Sequence, residues 1–330
     1  MKKIVIFSLF LSGIVSFAQT GTNVFPFLNL PVSARQAALG GDAISIRDRD
    51  VSFAIANPSL LNKDSHNQLS VNATAYLADS KYGTIAYAKD FENGHMATIN
   101  ARYMSYGDIP RTDDSGFENG TFNASDVSVG AGYAYQFEED WTIGGGLNFI
   151  TSKIDNYTSS AVAGNAGITY HNRKSKETAS LVLRNFGFQL KSFNGTRENL
   201  PFRIDLGYTR TLTAIPLAVT LTVHDLQEFN ISSPYNVNGQ EINIGRKIAD
   251  HFSVGAELFP EKGFNIRLGY NVKRGNELAV AEQRNFSGIS AGFGIRLSRF
   301  RVDYAHVRYH NSSNVNQIGI SVDLNSRAGE

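Results

Sequence analysis

The feature that most constrains this chain is an alternation of apolar and polar residues, with a period of two, from Asn67 onward. In the segment 263–273, apolar residues occupy the even positions, and Asn, Arg, Gly and Lys occupy the odd ones. Such alternation predicts β-strands with one apolar face. The same pattern defines fourteen segments: 67–78, 81–91, 96–106, 125–137, 141–152, 161–173, 177–187, 203–213, 216–226, 251–259, 263–273, 287–297, 300–308 and 315–324.

The lengths of these segments favour a membrane barrel. Several reach the about 9–11 residues that a tilted strand needs to cross a bilayer, whereas strands of soluble proteins average about 5–6. A strand with one apolar face cannot leave an open edge in lipid, so the sheet must close on itself. The predicted fold is therefore all-β, a 14-stranded antiparallel transmembrane β-barrel with a polar lumen. The alternative is a large soluble all-β protein, whose inward faces would alternate as well.

The connections between the segments supply an independent test. Those after even-numbered segments are short, and most of those after odd-numbered segments are long: 107–124, 153–160, 188–202, 227–250 and 274–286. Outer-membrane barrels have short periplasmic turns and long extracellular loops. The pattern thus predicts an outer-membrane protein with both termini in the periplasm. The first and last hairpins are short exceptions, and 241–245 could add a further short strand.

The N-terminus has the form of a cleavable signal peptide over residues 1–18. Lys2 and Lys3 precede an apolar stretch from Ile4 to Val15, and small residues stand at positions 16 and 18. The alternative, a membrane anchor, would need about 20 apolar residues, and no later window is apolar enough for a membrane helix. The chain has no Cys, which excludes thiolate metal sites and disulfides.

Residues 19–66 do not alternate and precede the barrel segment, 67–330. Ser33 can cap a short helix over 34–39 that Gly40 and Gly41 end. Asn57 is a good N-cap, and Pro58 is a good first residue for a second helix. We predict that 19–66 is a helical hatch that plugs the lumen. The alternative is a periplasmic extension, since chain termini are often loosely held.

The run from Phe27 to Gly41, the charged stretch to Asp50 and the residues 57–61 resemble the start of the PorV/PorQ family of the type IX secretion system, relatives of the FadL outer-membrane transporters. The resemblance is sharpest over 25–62 and is nearer to the PorQ-like members. Its N-terminal motif is matched by Asn29, Pro31, Arg35, Gly40 and Gly41. The Asn-Pro-Ala motif of the FadL hatch is matched by Asn57 and Pro58, with Ser59 where alanine is expected.

The resemblance implies a FadL-like barrel in the attachment complex of that system, surrounded by outer-membrane lipid. Its partners would be PorZ-like, PorU-like and PorV-like proteins, which process secreted cargo and attach it to the cell surface. The second hypothesis is FadL-type transport of hydrophobic small molecules, with an apolar pocket lined, for example, by Phe25, Phe27 and Leu30. The chain would be no enzyme in either case, and the resemblance implies no cofactor.

Catalytic and metal-binding patterns are weak. The residues 288–292 match the Gly-x-Ser-x-Gly pattern around Ser290, but they lie within a strand, whereas that pattern needs a strand-to-helix turn. A hydrolase is therefore the third hypothesis, without an assigned catalytic residue. The seven His show no zinc-ligand spacing. A net charge of +1 gives no argument for nucleic acid. Arg102, Arg203, Arg267 and Arg296 fall on the polar register and are interpreted as lumen charges paired with acids such as Asp205 and Glu257.

Overall fold

Fourteen antiparallel strands form one closed barrel, in which the first strand pairs with the second and with the last. The computed structural model describes residues 23–113, 115–212, 214–236, 239–278, 286–310 and 313–325. The strands are β1 (Gln68–Ala75), β2 (Lys81–Asp90), β3 (His95–Thr112), β4 (Glu118–Gln136), β5 (Trp141–Ile154), β6 (Tyr157–Asn172), β7 (Glu177–Lys191), β8 (Arg203–Thr211), β9 (Leu217–Val223), β10 (Phe252–Leu258), β11 (Phe264–Asn271), β12 (Ile289–Leu297), β13 (Phe300–His310) and β14 (Ser313–Asp323). The predicted fold is confirmed.

The predicted loops 107–124 and 153–160 are wrong. β3 and β4 continue through most of the first range and leave only a short turn at its tip, while β5 and β6 are joined by two residues, 155 and 156. β3 has 18 residues and β4 has 19, whereas β9 and β10 have seven each. The wall formed by β3–β7 is therefore much taller than the opposite wall.

The two faces of the wall differ as the alternation predicts. Leu147, Ile99 and Leu268 are more than half exposed on the outer face, where lipid would cover them. The lumen face carries buried polar residues, which include Arg102, Arg203 and Arg267. Arg296, by contrast, is exposed at one mouth of the barrel.

In most places the connections are short after even-numbered strands and long after odd-numbered strands, as predicted. The turns after even-numbered strands span two to five residues, and they lie at the same end as the start of β1 and the end of β14. We call this the terminus side and the opposite end the loop side. On the loop side, the further strand considered for 241–245 is not formed. Glu241 makes only an isolated β-bridge to Tyr235, and residues 244–249 form a helix.

The described N-terminal residues, 23–66, lie inside the barrel, and we call them the inner segment. It contains helix α1 (Ala34–Ala38) and four short 3-10 helices, Pro26–Asn29, Val51–Ile55, Pro58–Leu60 and Lys63–Ser65. Its residues contact lumen-facing positions all around the wall, from β1 to β14. Two further helices, α2 (Ile244–Ala249) and α3 (Val272–Glu277), lie in loop-side connections.

No helix in the described part of the chain is long and apolar enough to cross a membrane. The predicted signal peptide, 1–18, and residues 326–330 at the C-terminus lie outside the described residues.

Candidate functional site

The Asn57–Ser59 turn is stabilised by hydrogen bonds within the inner segment. The Asn57 Oδ1 accepts hydrogen bonds from the backbone N–H of Ser59, at 3.1 Å, and from its hydroxyl, at 2.6 Å. The Asn57 Nδ2 donates to the carbonyl of Ile44 at 2.9 Å. Pro58 begins the short helix, where its missing N–H costs nothing. The turn is therefore rigid and needs an amide side chain at Asn57.

This turn lies on a part of the wall that is free of side chains. A Cβ on Gly144 would lie 2.6 Å from the carbonyl carbon of Pro58, and one on Gly167 would lie 2.9 Å from the Ser59 Oγ. Real Cβ atoms essentially never come so close. The Ser59 hydroxyl also contacts the Thr169 hydroxyl at 2.7 Å. The wall of β5 and β6 is thus shaped to receive the turn, and all of its polar contacts there are neutral.

Helix α1 and the glycines after it contact the opposite wall. Ser33 accepts from the Gln36 N–H and caps the helix, as predicted. Gly40 follows with φ of +93°, a backbone conformation that L side chains rarely adopt. Its N–H donates to Ser290 Oγ at 3.1 Å, and a Cβ on Gly269 would overlap its backbone.

Ser290, the centre of the Gly-x-Ser-x-Gly match, has a packing role in this contact. Its hydroxyl donates to the carbonyl of Ala38 at 3.0 Å and accepts from the Gly40 N–H. Both hydrogen bonds tie the inner segment to β12. The serine lies within a strand, and no strand-to-helix turn presents it as a nucleophile.

Arg35 joins the inner segment to the wall by charge. Its guanidinium contacts Asp48 Oδ2 at 2.6 Å within the segment and Glu257 Oε2 at 2.7 Å on β10. Glu257 also binds Arg267, which contacts Asp303 at 2.7 Å. Burial lowers the pKa of Arg35, but the charges of Asp48 and Glu257 outweigh it and raise that pKa above its usual value. A buried charge is tolerated here only because it is paired on both sides.

Asp42 forms a second charged contact. Its carboxylate accepts from Arg203 at 2.9 Å and from the Asn271 amide at 2.8 Å. Arg203 also binds Asp205 at 3.2 Å, as the sequence predicted. Burial opposes ionisation of Asp42, but the charge of Arg203 prevails and lowers its pKa to about 2. The carboxylate is therefore ionised throughout the physiological pH range.

The remaining motif residues lie apart from the Asn57–Ser59 turn. Asn29 accepts from the Asn185 Nδ2 on β7 at 2.9 Å. Pro31 lies against Gly41, whose φ is +93° and whose missing side chain leaves room for Arg274. The structure thus distributes the eight motif residues around the lumen and does not gather them at one site.

The expected apolar pocket beside Phe25, Phe27 and Leu30 is filled by these residues themselves. Phe25 and Phe27 are each 2% exposed, and they pack in one cluster with Tyr82, Met104 and other apolar residues of the wall. Leu30 is half-buried at its edge. In this conformation the interior apolar space near them is occupied by the protein's own side chains.

A groove of about 720 Å³ lies in the outer face of the wall over β1–β6. Apolar side chains form its sides: Leu69, Ile85, Ile99, Val129, Leu147 and Val162. Its floor includes three neighbouring residues whose positions belong to the lumen face of the wall. Asn100 on β3 pairs with Gly130 on β4, which pairs with Asn148 on β5. Asn100 Oδ1 is buried and has no hydrogen-bond partner in the described part of the chain. We call this feature the lateral groove.

Two polar cavities lie at the mouths of the barrel. The loop-side cavity, of about 540 Å³, is bordered by Asn29, Asp42 and Arg203. The terminus-side cavity, of about 510 Å³, is bordered by Arg35, Arg47 and Asp48. The inner segment runs between them from Asp42 to Ile46 without regular secondary structure. Among the described residues, no group of His, Cys, Asp and Glu is arranged to hold a metal ion.

Comparison with known proteins reveals the fold relationship. No family model matches the sequence, and no curated protein matches it either. Among solved structures, the CymD monoaromatic hydrocarbon channel superposes with a TM-score of 0.58 at 12% identity, over 89% of this chain and 97% of that one. The Pseudomonas putida toluene transporter TodX gives 0.54 at 11% identity, over 89% and 97%. A Pseudomonas aeruginosa FadL homologue gives 0.54 at 10% identity, over 89% and 98%.

These similarities show the fold, a FadL-like 14-stranded barrel. The prediction that the chain is not an enzyme stays a prediction. The PorV/PorQ resemblance and the partners that it implies stay predictions.

Several residues of the site were missed from the sequence. Asp42 and Asp48 were interpreted only as part of a charged stretch, although the place of Asp42 directly after Gly40 and Gly41 could have marked it as a partner for a lumen arginine. The lumen-facing glycines of β5, β6 and β11 were not recognised from the sequence as the positions that the inner segment contacts. Their signal was the run Gly144-Gly145-Gly146, whose even members share the lumen register with Asn148.

Proposed function

We propose that this protein is an outer-membrane transporter of hydrophobic small molecules, which enter or leave sideways through the lateral groove. The observation that carries the proposal is the position of the groove relative to the Asn57–Ser59 turn. An apolar groove open to lipid is accessible to molecules that dissolve in the membrane, and mostly apolar cavities with a few polar groups are typical of ligand sites.

The turn lies directly behind the groove. One step toward the terminus side from Gly130 and Asn148, the lumen-facing residues of β4 and β5 are Gly132 and Gly146, and a Cβ on either would lie within 3.6 Å of Pro58. On β3, the neighbour of Asn100 is Arg102, which donates to the carbonyls of Leu28 at 2.6 Å and Ile55 at 3.3 Å. The inner segment thus closes the wall from within, where we propose that it acts as a hatch.

The lumen side offers an apolar space once the segment moves. Phe25 and Phe27 occupy the cluster that includes Ile150, the next lumen-facing residue of β5 after Asn148. A hydrophobic molecule that displaced these rings would find the same apolar wall. The fold shared with hydrocarbon channels supports this proposal, although it does not identify the substrate of this chain.

The experiment compares two tryptophan substitutions on the lipid face. Leu147 lines the groove and is 65% exposed, while Leu268 lies on β11, away from the groove, and is 55% exposed. Uptake of radiolabelled fatty acid and toluene is measured in cells that produce equal amounts of folded barrel. We expect Leu147→Trp to remove most protein-dependent uptake and Leu268→Trp to leave it unchanged. Equal uptake by both variants would contradict lateral passage.

A second function, anchoring of an attachment complex, is favoured by the height of the wall. β3 and β4 exceed the about 9–11 residues needed to cross the bilayer, so their hairpin continues beyond the membrane. Phe117 at its tip is 73% exposed. With both termini in the periplasm, this surface would face outward and could hold the PorZ-like, PorU-like or PorV-like proteins that the resemblance implies.

Affinity purification from the native outer membrane tests this second function. The tagged protein is compared with a variant in which residues 108–123 are replaced by a two-residue turn. We expect partners to co-purify in stoichiometric amounts with the complete chain and to be lost from the shortened one. Recovery of the complete barrel without any partner would leave transport as the supported function.

A further inference from the structure

The terminus-side cavity contains more positive charge than its acids can neutralise. Within the described residues, three of its four acids form ion pairs, since Asp48 and Glu257 bind Arg35, and Glu261 binds Lys176 at 2.6 Å. Asp64 is exposed and forms no ion pair there. Three further arginines of the cavity form no ion pair within the described part of the chain: Arg47, Arg173 and Arg296.

Arg47 is held in place although it lacks a counter-charge. One guanidinium nitrogen donates to the Thr142 hydroxyl at 3.3 Å, while its buried Nε has no partner among the described residues. Burial and the nearby charge of Arg173 lower the pKa of Arg47 to about 10, against a smaller opposing effect of Asp64. Arg47 still carries its charge at neutral pH, so two repelling guanidiniums face one cavity.

The cavity is also lined by hydroxyl groups. Thr178, Thr209, Thr211 and Thr220 project from β7, β8 and β9, and each can donate a hydrogen bond. His171 lies beside them, with its Nδ1 at 2.9 Å from the Thr178 hydroxyl. Guanidiniums without ion pairs and hydroxyl groups that line one cavity give it a strong excess of hydrogen-bond donors over acceptors.

We propose that the terminus-side cavity binds a small anion with two or more oxygens, a carboxylate or phosphate group, between Arg47 and Arg173. The planar guanidinium presents parallel N–H donors that match both groups. Such an anion would neutralise the repulsion between the arginines and supply an acceptor for donors that the protein leaves unpaired. The binding site does not depend on whether hydrophobic molecules cross the barrel.

The test uses purified full-length barrel in an uncharged detergent. Isothermal titration with inorganic phosphate and, separately, with acetate is performed at constant ionic strength. The variants are Arg47→Gln, Arg173→Gln and the double variant. The matched control is Arg111→Gln, which removes an exposed arginine on β3 that pairs with Asp155 at 2.7 Å. Arg173 lies in an exposed turn, so its substitution leaves the barrel fold intact.

We expect the unaltered protein to bind at least one of the two anions. The double variant should bind on the order of tenfold more weakly or worse, because hydrogen bonds to charged groups are lost, and Arg111→Gln should not differ. Binding of both anions would identify a general oxyanion site, and binding of phosphate alone a phosphate site. The proposal is overturned if neither anion binds, or if the double variant binds as the unaltered protein does.

Discussion

The inner segment is held in two different ways on the two sides of the lumen. Toward β8–β13, which we call the anchor side, buried ion pairs hold it: Arg35 with Glu257, and Asp42 with Arg203. Toward β1–β6, the groove side, it rests on glycines and forms no ion pair among the described residues. Its contacts there are neutral, such as Ser59 with Thr169, or join an arginine to an uncharged group, as Arg102 does with backbone carbonyls and Arg47 with the Thr142 hydroxyl. The lateral groove lies only on this second side.

The difference indicates which side can open. Separating a buried ion pair leaves charges without partners in a poorly hydrated space, which costs several kcal/mol. Separating neutral hydrogen bonds costs about 0.5–1.5 kcal/mol each, and a ligand or water can replace them. The anchor side is therefore expected to stay attached, and the groove side to release the inner segment.

The largest expected effect follows from Arg35→Met, which keeps much of the side-chain volume but removes the charge. Glu257 and Asp48 lose their shared partner, so the inner segment should lose about 3–5 kcal/mol of docking free energy. Hydrogen exchange of residues 42–50 measures this loss. Arg111→Met breaks an exposed ion pair with Asp155 and should cost at most about 1 kcal/mol. Equal effects of the two variants would contradict the claim that buried ion pairs hold the inner segment on the anchor side.

Gly144→Val should have the next largest effect, on the groove side. The added side chain would overlap Pro58 and Ser59, and overpacking of this kind costs about 1–3 kcal/mol. We expect ion conductance in planar bilayers to rise, because the inner segment is pushed away from the wall. The control is Gly145→Val, one residue on, which faces lipid and meets only a carbonyl at 3.8 Å. Equal conductance of the two variants would show that the turn does not close the wall.

Asn57→Ala should have a smaller effect of about 0.5–2 kcal/mol, the usual cost of losing an N-cap. The Ser59 N–H and the Ile44 carbonyl lose their partners. Protease sensitivity of residues 55–61 measures the change. Asn172→Ala removes a similar cap from an exposed turn on the terminus side, where Asn172 accepts from the N–H groups of Lys174 and Ser175. That control should leave residues 55–61 protected.

The smallest effect is expected from pH between 5 and 8. Asp42 and Asp48 have pKa values lowered to about 2, because Arg203 and Arg35 respectively outweigh the opposing effect of burial. A lowered carboxylate pKa contributes stability that is complete above the ordinary value near 3.8 and is lost as pH falls toward 2. Hydrogen-exchange protection of residues 42–50 should stay constant from pH 8 to 5 and decrease below about pH 4. A decrease between pH 8 and 5 would contradict the anchor.

The sequence predicted the wall far better than what fills it. Period-two alternation located β10 and β11 to within about two residues, because each lipid-crossing strand has one apolar face. It missed the last residues of β3 and the first residues of β4. The hairpin that they form extends beyond the lipid after Ser105, so the alternation stops there. The partners of Arg35 could not be predicted, because Glu257 is 222 positions away and a polar lumen offers many acids.

The measurement that tests the central claim most directly uses two disulfide locks, which a chain without Cys allows. Ser59→Cys with Thr169→Cys would lock the groove side, where the two hydroxyls are 2.7 Å apart. Ser45→Cys with Thr209→Cys would lock the anchor side, where the distance is 2.8 Å. Uptake of radiolabelled fatty acid is measured for each oxidised lock and again after reduction. We expect the groove-side lock to stop uptake until it is reduced and the anchor-side lock to have no effect. Undiminished uptake through the oxidised groove-side lock would contradict this expectation.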